Sequence, residues 1–107
     1  MTAGVYAIYN IKTNHIYVGC SSHIEERWER HMHALEDRTH SNRLLQRAYD
    51  AAQDVWACII LECTYPENKY KREQVWFSRM IKHHELYNLD LIEPNDLSSV
   101  NEQLEVT

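Results

Sequence analysis

GVYAIYNIKTNHIYVG, the stretch from Gly4 to Gly19, is the place from which the fold can be read. Val5 to Ile11 is rich in Val, Ile and Tyr, whose branched or aromatic side chains sit well on a pleated surface, and it predicts a strand. Lys12-Thr13-Asn14 is a short polar interruption. His15 to Gly19, with Ile16-Tyr17-Val18 at its centre, predicts a second strand. Two strands joined by so short a polar loop predict an antiparallel hairpin. Tyr6 follows Gly4-Val5 and Tyr17 precedes Val18-Gly19, so both ends of the hairpin pair a phenol with a glycine. Tyrosine favours strands on its own account, and with seven in 107 residues neither phenol alone demands a special role.

Downstream, Ser22-x-x-Glu25 has the form of a capping box and places a helix start near His23. Ile24, Trp28, Met32 and Leu35 recur at helical spacing, and the pattern stops near Asp37. A second helix is expected over 42–52, with Leu44, Leu45, Ala48 and Ala52 inward. Val55 to Leu61 is a continuous apolar run of strand length and reads as the central, best-buried strand. Pro66 opens a third helix, expected over 67–83. The order β-β-α-α-β-α predicts an α+β fold, a small three-stranded antiparallel sheet flanked by helices.

Length and composition agree with a single domain. The 107 residues are 44% apolar and 25% charged, with two Gly and two Pro, and hold no run apolar enough to span a bilayer. The expected division is one folded unit over 1–92 and an acidic tail over 93–107. Nothing at the start reads as a signal peptide. Three cysteines, Cys20, Cys58 and Cys63, suit neither a disulfide framework nor a C-x-x-C motif and fit a reducing, cytoplasmic setting. His31-x-His33 and His83-His84 lack partners at zinc-finger spacing. The net charge of −5 is unevenly spread: from Glu85 onward there are six acids and no Lys or Arg, leaving eleven bases and ten acids before it. The first 84 residues therefore have room for a local basic face.

Polar residues stand where a plain core would avoid them. Arg27 and His31 are one turn apart on the first helix and share a face, with His31 at the edge of the apolar arc. They read either as a surface Arg beside a half-buried His or as a pair addressing one ligand. On the third helix Tyr70, Phe77 and Ile81 form one part of an apolar arc, and Trp76 and Met80 the other, with Glu73 projecting from its middle. A carboxylate there is costly unless it is paired or bound to a cation, so a structural ion pair and a metal ligand both remain open.

Taken together, Gly4-Val5-Tyr6, Tyr17-Val18-Gly19, Arg27, His31, Glu73 and Asn88 resemble, in order, the signature of the GIY-YIG endonuclease family. The segment Glu26 to His31, and His40-Ser41 followed by Leu45-Gln46-Arg47, are similar to the catalytic domain of phage homing endonucleases. The resemblance covers roughly residues 3–92. Its departures in the name motif are Val5 and Val18, each Val in place of Ile, a conservative change.

The resemblance implies a metal-dependent DNA endonuclease. Glu73 would hold one Mg²⁺ or Mn²⁺, Arg27 would bind and neutralise the phosphate, and Tyr6 would contact the attacking water as base or relay, helped by His31. Tyr17 would position water or phosphate. Gly19, His40 and Asn88 are expected on the substrate side, Asn88 holding a backbone group or a phosphate. The expected partner is DNA, with no membrane, and with a homodimer or a second protein supplying target recognition. Two other readings stay open: a DNA-binding or regulatory module of the same fold that no longer cuts, and a nuclease for single-stranded or branched DNA.

Overall fold

The structure is a computed structural model and describes residues 2–88. The acidic stretch at 93–107 and the end of the expected 1–92 unit lie outside the described residues.

The hairpin forms as expected: β1 (Gly4–Asn10) and β2 (Ile16–Ser21) pair antiparallel, with Tyr6 opposite Gly19 and Ile8 opposite Tyr17. Asn10 organises the turn. Its Oδ1 accepts from the backbone N–H groups of Lys12 and Thr13, at 3.0 and 3.2 Å. Asn14 closes it in the left-handed region at φ 65°, where Asn is tolerated. The remaining elements are α1 (Ile24–Glu36), α2 (Arg43–Ala51), β3 (Trp56–Cys63), a single 3₁₀ turn at Pro66–Asn68, and α3 (Lys69–Met80). The element order and fold class match the sequence expectation.

The position of β3 does not. The sheet order is β2-β1-β3, so β1 is central and β3 is an edge strand. Val5 and Ile8 of β1 are fully buried, whereas Ile59 and Ile60 of β3 are 42% and 44% exposed. An unbroken apolar run signals burial on two faces only if the strand also has neighbours on two sides, and among the described residues this one pairs with β1 alone. A bulge shifts the β1–β3 register between Val5 and Tyr6. It brings the Glu62 carbonyl so close to Gly4 that a Cβ there would lie 1.9 Å from the oxygen, and Gly4 sits at φ 155°. Only glycine fits.

Alternation along the strands splits the core. Tyr6 and Ile8 pack with Ile24, Leu35, Leu45, Tyr49 and Tyr87 on the α1/α2 side. Val5, Ile16 and Val18 pack with Leu86, Trp76, Phe77 and Met80 on the α3 side. Full burial of side chains such as Leu35 and Leu45 contributes roughly 1.5–3 kcal/mol each. Glu62 ties β3 to α3, accepting two hydrogen bonds from Arg72 at 2.7 and 2.8 Å and one from Trp76 Nε1 at 2.9 Å.

Several helix details differ from expectation. The capping box does not form: His23 is the N-cap without a side-chain bond, and Glu25 instead receives the backbone N–H and hydroxyl of Thr2. Ser22 accepts from Lys69 Nζ at 3.0 Å, and Ser21, not Ser22, takes the His23 N–H. In α2 the buried residues are Leu45 and Tyr49, while Ala52 is the C-cap. α3 begins two residues later than expected, after the 3₁₀ turn that Pro66 opens, and stops at Met80. Tyr70 and Ile81, expected in its apolar arc, are 57% and 45% exposed.

Candidate active site

β2 is an edge strand, and that position creates the site. Along its outer edge the segment after α3 lies parallel, Ile16 bridging to Leu86 and donating to the Glu85 carbonyl at 3.0 Å. Asn88 continues this cover: its Oδ1 accepts from Val18 N–H at 2.9 Å and its Nδ2 donates to Val18 O at 2.8 Å. Beyond Val18 a cleft of about 450 Å³ opens along Gly19, Cys20 and Ser21. Alternation sends Tyr17 and Gly19 to the α1 side and Cys20 to the α3 side. Because none of the described residues pairs with the strand's outer edge here, groups from both faces meet around it. Tyr6 and Tyr17 come from the hairpin, Glu26, Arg27 and Arg30 from α1, and Lys69, Tyr70 and Glu73 from α3.

Four of the expected residues, Tyr6, Tyr17, Arg27 and Glu73, therefore converge on one cleft, and Gly19 forms part of its floor. Gly19 has a further task. A Cβ there would lie 2.5 Å from the Tyr6 hydroxyl oxygen and 2.6 Å from its Cζ. The phenol of Tyr6 reaches the cleft only by lying across a residue without a side chain.

His31 and His40 stand behind the wall. His31 is 8% exposed, and its Nε2 is 2.7 Å from the Tyr6 hydroxyl. Its Nδ1 is 2.7 Å from His40 Nε2, with the two rings within 19° of parallel. His40 Nδ1 accepts the backbone N–H of Asn42 at 3.0 Å, and the His40 backbone N–H donates to Gln46 Oε1 at 3.1 Å. Asn42 is 2% exposed and also caps α2, its Oδ1 accepting from Leu45 N–H, while its Nδ2 donates to the Tyr87 carbonyl. Neither His40 nor Asn88, both expected on the substrate side, is among the residues lining the cleft, and Asn88 takes the backbone group that was the other half of its expected role. His40 is joined to the cleft only through its hydrogen bond to His31, and Asn88 spends its amide on the β2 backbone.

Burial dominates the electrostatics. The phenol of Tyr6 is held above its ordinary range, first by burial and then by the nearness of Tyr17, with Arg27 opposing. Tyr17 is raised by burial and by Glu73. The Glu73 carboxyl is raised by burial, opposed by the hydrogen bond from the Cys20 thiol, and that thiol is itself pushed up to about 12. His31 is pushed down to about 4 by burial, then by His40 and Arg27, so it is neutral at pH 7. Burial also lowers His40.

Glu73 is thus a half-buried carboxylate with no ion pair to a Lys or Arg among the described residues. The cation beside it in the sequence, Arg72, is taken by Glu62. The ion-pair explanation for an inward acid is not realised. No group of three or more His, Cys, Asp or Glu that could hold a metal ion exists among the described residues, so a divalent cation at Glu73 would rest on that one carboxylate, with waters and a phosphate filling the other positions, as Mg²⁺ permits.

Arg30, Lys69, Tyr70 and Cys20 were not singled out as site residues from the sequence. Arg30 had a signal, lying one turn from Arg27 on the same face. Asn42 had one too, as a favoured N-cap type directly before a helical run. Lys69 and Tyr70 had none, since their position depends on where α3 crosses β2.

The hairpin thus brings its two phenols together with an arginine from the following helix and a glutamate from the last in one cleft of a small α+β domain. The chain belongs to the GIY-YIG family: the model of the GIY-YIG catalytic domain matches residues 2–88. It is similar to intron-associated endonuclease 1 of Enterobacteria phage T4, at 36% identity over 92 residues, covering 83% of this chain and 37% of that protein. The chain thus spans well under half the length of that curated relative. Two solved structures share the fold. One is the catalytic domain of homing endonuclease I-TevI, with a TM-score of 0.70 and 31% identity, covering 78% of this chain and 96% of that one. The other is an alanine mutant of the catalytic domain of intron endonuclease I-TevI, with a TM-score of 0.71 and 34% identity, covering 76% and 86%.

Proposed function

We propose that this chain hydrolyses phosphodiester bonds of DNA as an endonuclease, with Arg27, Tyr6, Tyr17 and Glu73 as its working groups. The convergence of these four side chains on one cleft carries the reading. Arg27, Arg30 and Lys69 give the cleft a cationic lining to receive a phosphate, and the guanidinium of Arg27 stabilises the negative charge that grows on the phosphate oxygens. Tyr6 presents its oxygen to the attacking water. Burial keeps the phenol protonated at rest, so any use of it as a base depends on groups that favour the phenolate. Arg27 does so by charge, and the N–H of His31 does so by hydrogen bonding. Tyr17, beside Glu73, orients water or phosphate. Glu73 would hold one Mg²⁺ or Mn²⁺, which when bound supplies charge neutralisation and an acidified water.

One cleft cuts one strand at a time. Cutting both strands takes a homodimer, a partner protein or two visits. The test is conversion of supercoiled plasmid to nicked circles with Mg²⁺, abolished by a chelator. A chain that binds plasmid and never nicks it, with Mg²⁺ or Mn²⁺, is a binding module of the same fold and overturns the reading.

A further inference from the structure

The first turn of α3 carries Tyr70, which neither the core nor phosphate hydrolysis uses, next to Lys69, which already lends its charge to the cleft. Tyr70 lies on the helical stripe that Phe77 continues, yet it is 57% exposed. It lines the mouth of the cleft alongside Arg27 and Arg30. Lys69 Nζ lies 5.1 Å from the centroid of its ring. The same ammonium donates to Ser22 Oγ at 3.0 Å, which pins it to the loop between β2 and α1. The result is an aromatic plate held at the rim of a phosphate-sized cleft, with a fixed cation on the ring and the remaining surface open.

An exposed aromatic beside cations that receive a phosphodiester is the arrangement that stacks on a nucleobase. In an intact duplex both faces of each base are already covered by neighbours. A ring at the cleft mouth can take only a base that is flipped out, bulged, terminal or single-stranded. Lys69 reinforces this, because a cation on the ring sits near both the stacked base and the adjacent phosphate.

We propose that Tyr70, with Lys69, forms a stacking subsite for an unstacked nucleobase next to the phosphate being cut, so that the preferred substrate is DNA with an unpaired nucleotide at the cleavage point. The inference rests on the endonuclease reading for its meaning in cleavage, but stacking can be measured without cleavage.

The experiment uses the full chain and three DNA probes: a paired hairpin duplex, the same duplex with one unpaired 2-aminopurine, and a single strand containing 2-aminopurine. Binding is followed in chelator, by titration and by quenching of the 2-aminopurine. The wild type should quench the unpaired base and bind the bulged duplex about tenfold tighter than the paired one, the scale on which a stacked base contributes. Tyr70→Ala should lose the quenching and the preference, while Tyr70→Phe keeps both. With Mg²⁺, Tyr70→Ala should raise KM on the bulged duplex by about tenfold and leave kcat within about twofold. Equal quenching and affinity in Tyr70→Ala, or no discrimination by the wild type, overturns the subsite even if every probe is cut. Quenching lost in Tyr70→Ala with no cutting by any form leaves the subsite standing and removes the nuclease.

Discussion

Nε2 of His31 lies 2.7 Å from the hydroxyl of Tyr6, and this bond has a fixed direction. The Asn42 backbone amide can only donate, so His40 Nδ1 must accept and its proton sits on Nε2. That proton is given to His31 Nδ1, which leaves the proton of neutral His31 on its own Nε2. His31 therefore donates to Tyr6, and the phenol's own proton is free to point into the cleft. Tyr6→Phe removes the hydroxyl while keeping the ring in the core. It should remain folded, lose about 1–2 kcal/mol because the His31 N–H is left without a partner, and drop in nicking rate by about a hundredfold or more. Undiminished turnover would remove Tyr6 from the chemistry.

The same relay makes the fold sensitive to acid. Protonating His31 sets N–H against N–H between the two imidazoles. Folded His31 titrates at about 4, against 6.5 when unperturbed. Between those values the unfolded chain holds a proton that the folded chain does not, so stability is complete above the upper value, falls as pH drops through the window, and levels off below the lower one. The difference amounts to about 3 kcal/mol, and His40, lowered by burial, adds to the same slope. Denaturant midpoints across this range should fall for the wild type. They should fall less for His31→Gln, which begins less stable. Parallel curves for the two proteins would show that His31 does not carry the effect.

Gly19→Ala tests whether the position of the Tyr6 hydroxyl matters. The added methyl would be 2.5 Å from that oxygen, and Tyr6, at 2% exposure, has little room to swing away. The cost should be about 1–3 kcal/mol of stability. Nicking at saturating DNA should fall by about tenfold or more, since a displacement of an ångström at a reacting group is enough for a large loss. Wild-type turnover in this variant would mean that the oxygen need not lie where the structure has it.

The hairpin and the order of elements were legible because they rest on local signals, namely β-rich runs around a polar turn and helical spacing from Ile24 to Leu35. Edge against centre was not local. Val55 to Leu61 looks like a buried strand by composition, but which strand lies in the middle depends on long-range pairing with β1. Glu73 stood out because a carboxylate interrupts an apolar pattern, and Arg27 because it shares a helix face with His31 at the edge of one. The motif order added Tyr6 and Tyr17, which strand propensity alone would have explained away. The link from His31 through His40 to the Asn42 amide could not be read from the sequence, since it depends on how the loop between α1 and α2 folds back. Asn88 was placed among the substrate contacts, with a backbone group as the other target, and the backbone target is the one found.

Asn88→Ala separates those two roles. Both hydrogen bonds to Val18 disappear, and water can replace them only in part at this half-buried edge. Stability should fall by about 1–3 kcal/mol. Measured well below the melting transition, KM for DNA should stay within about threefold of wild type, because the amide touches no wall of the cleft. A large rise in KM with unchanged stability would put Asn88 back among the DNA contacts.

Arg27→Ala and Glu73→Ala carry the proposal as a whole. Arg27 is exposed, and half-buried Glu73 ties α3 to β2 only through the Cys20 thiol, a weak donor, so each variant should fold with a melting temperature close to wild type. Glu73→Ala even removes a carboxylate that burial disfavours, so it should be neutral or mildly stabilising. Both should lose nicking activity by about a thousandfold, the scale for removing a group that stabilises transition-state charge. They should differ in binding. Arg27→Ala weakens DNA affinity and lowers its salt dependence, because one phosphate contact is gone. Glu73→Ala leaves affinity in chelator unchanged or tighter, since a negative group has been taken from the cleft, and abolishes the response of affinity to added Mg²⁺. If Glu73→Ala instead nicks plasmid at the wild-type rate, the acid that α3 aims past β2 has no part in the reaction.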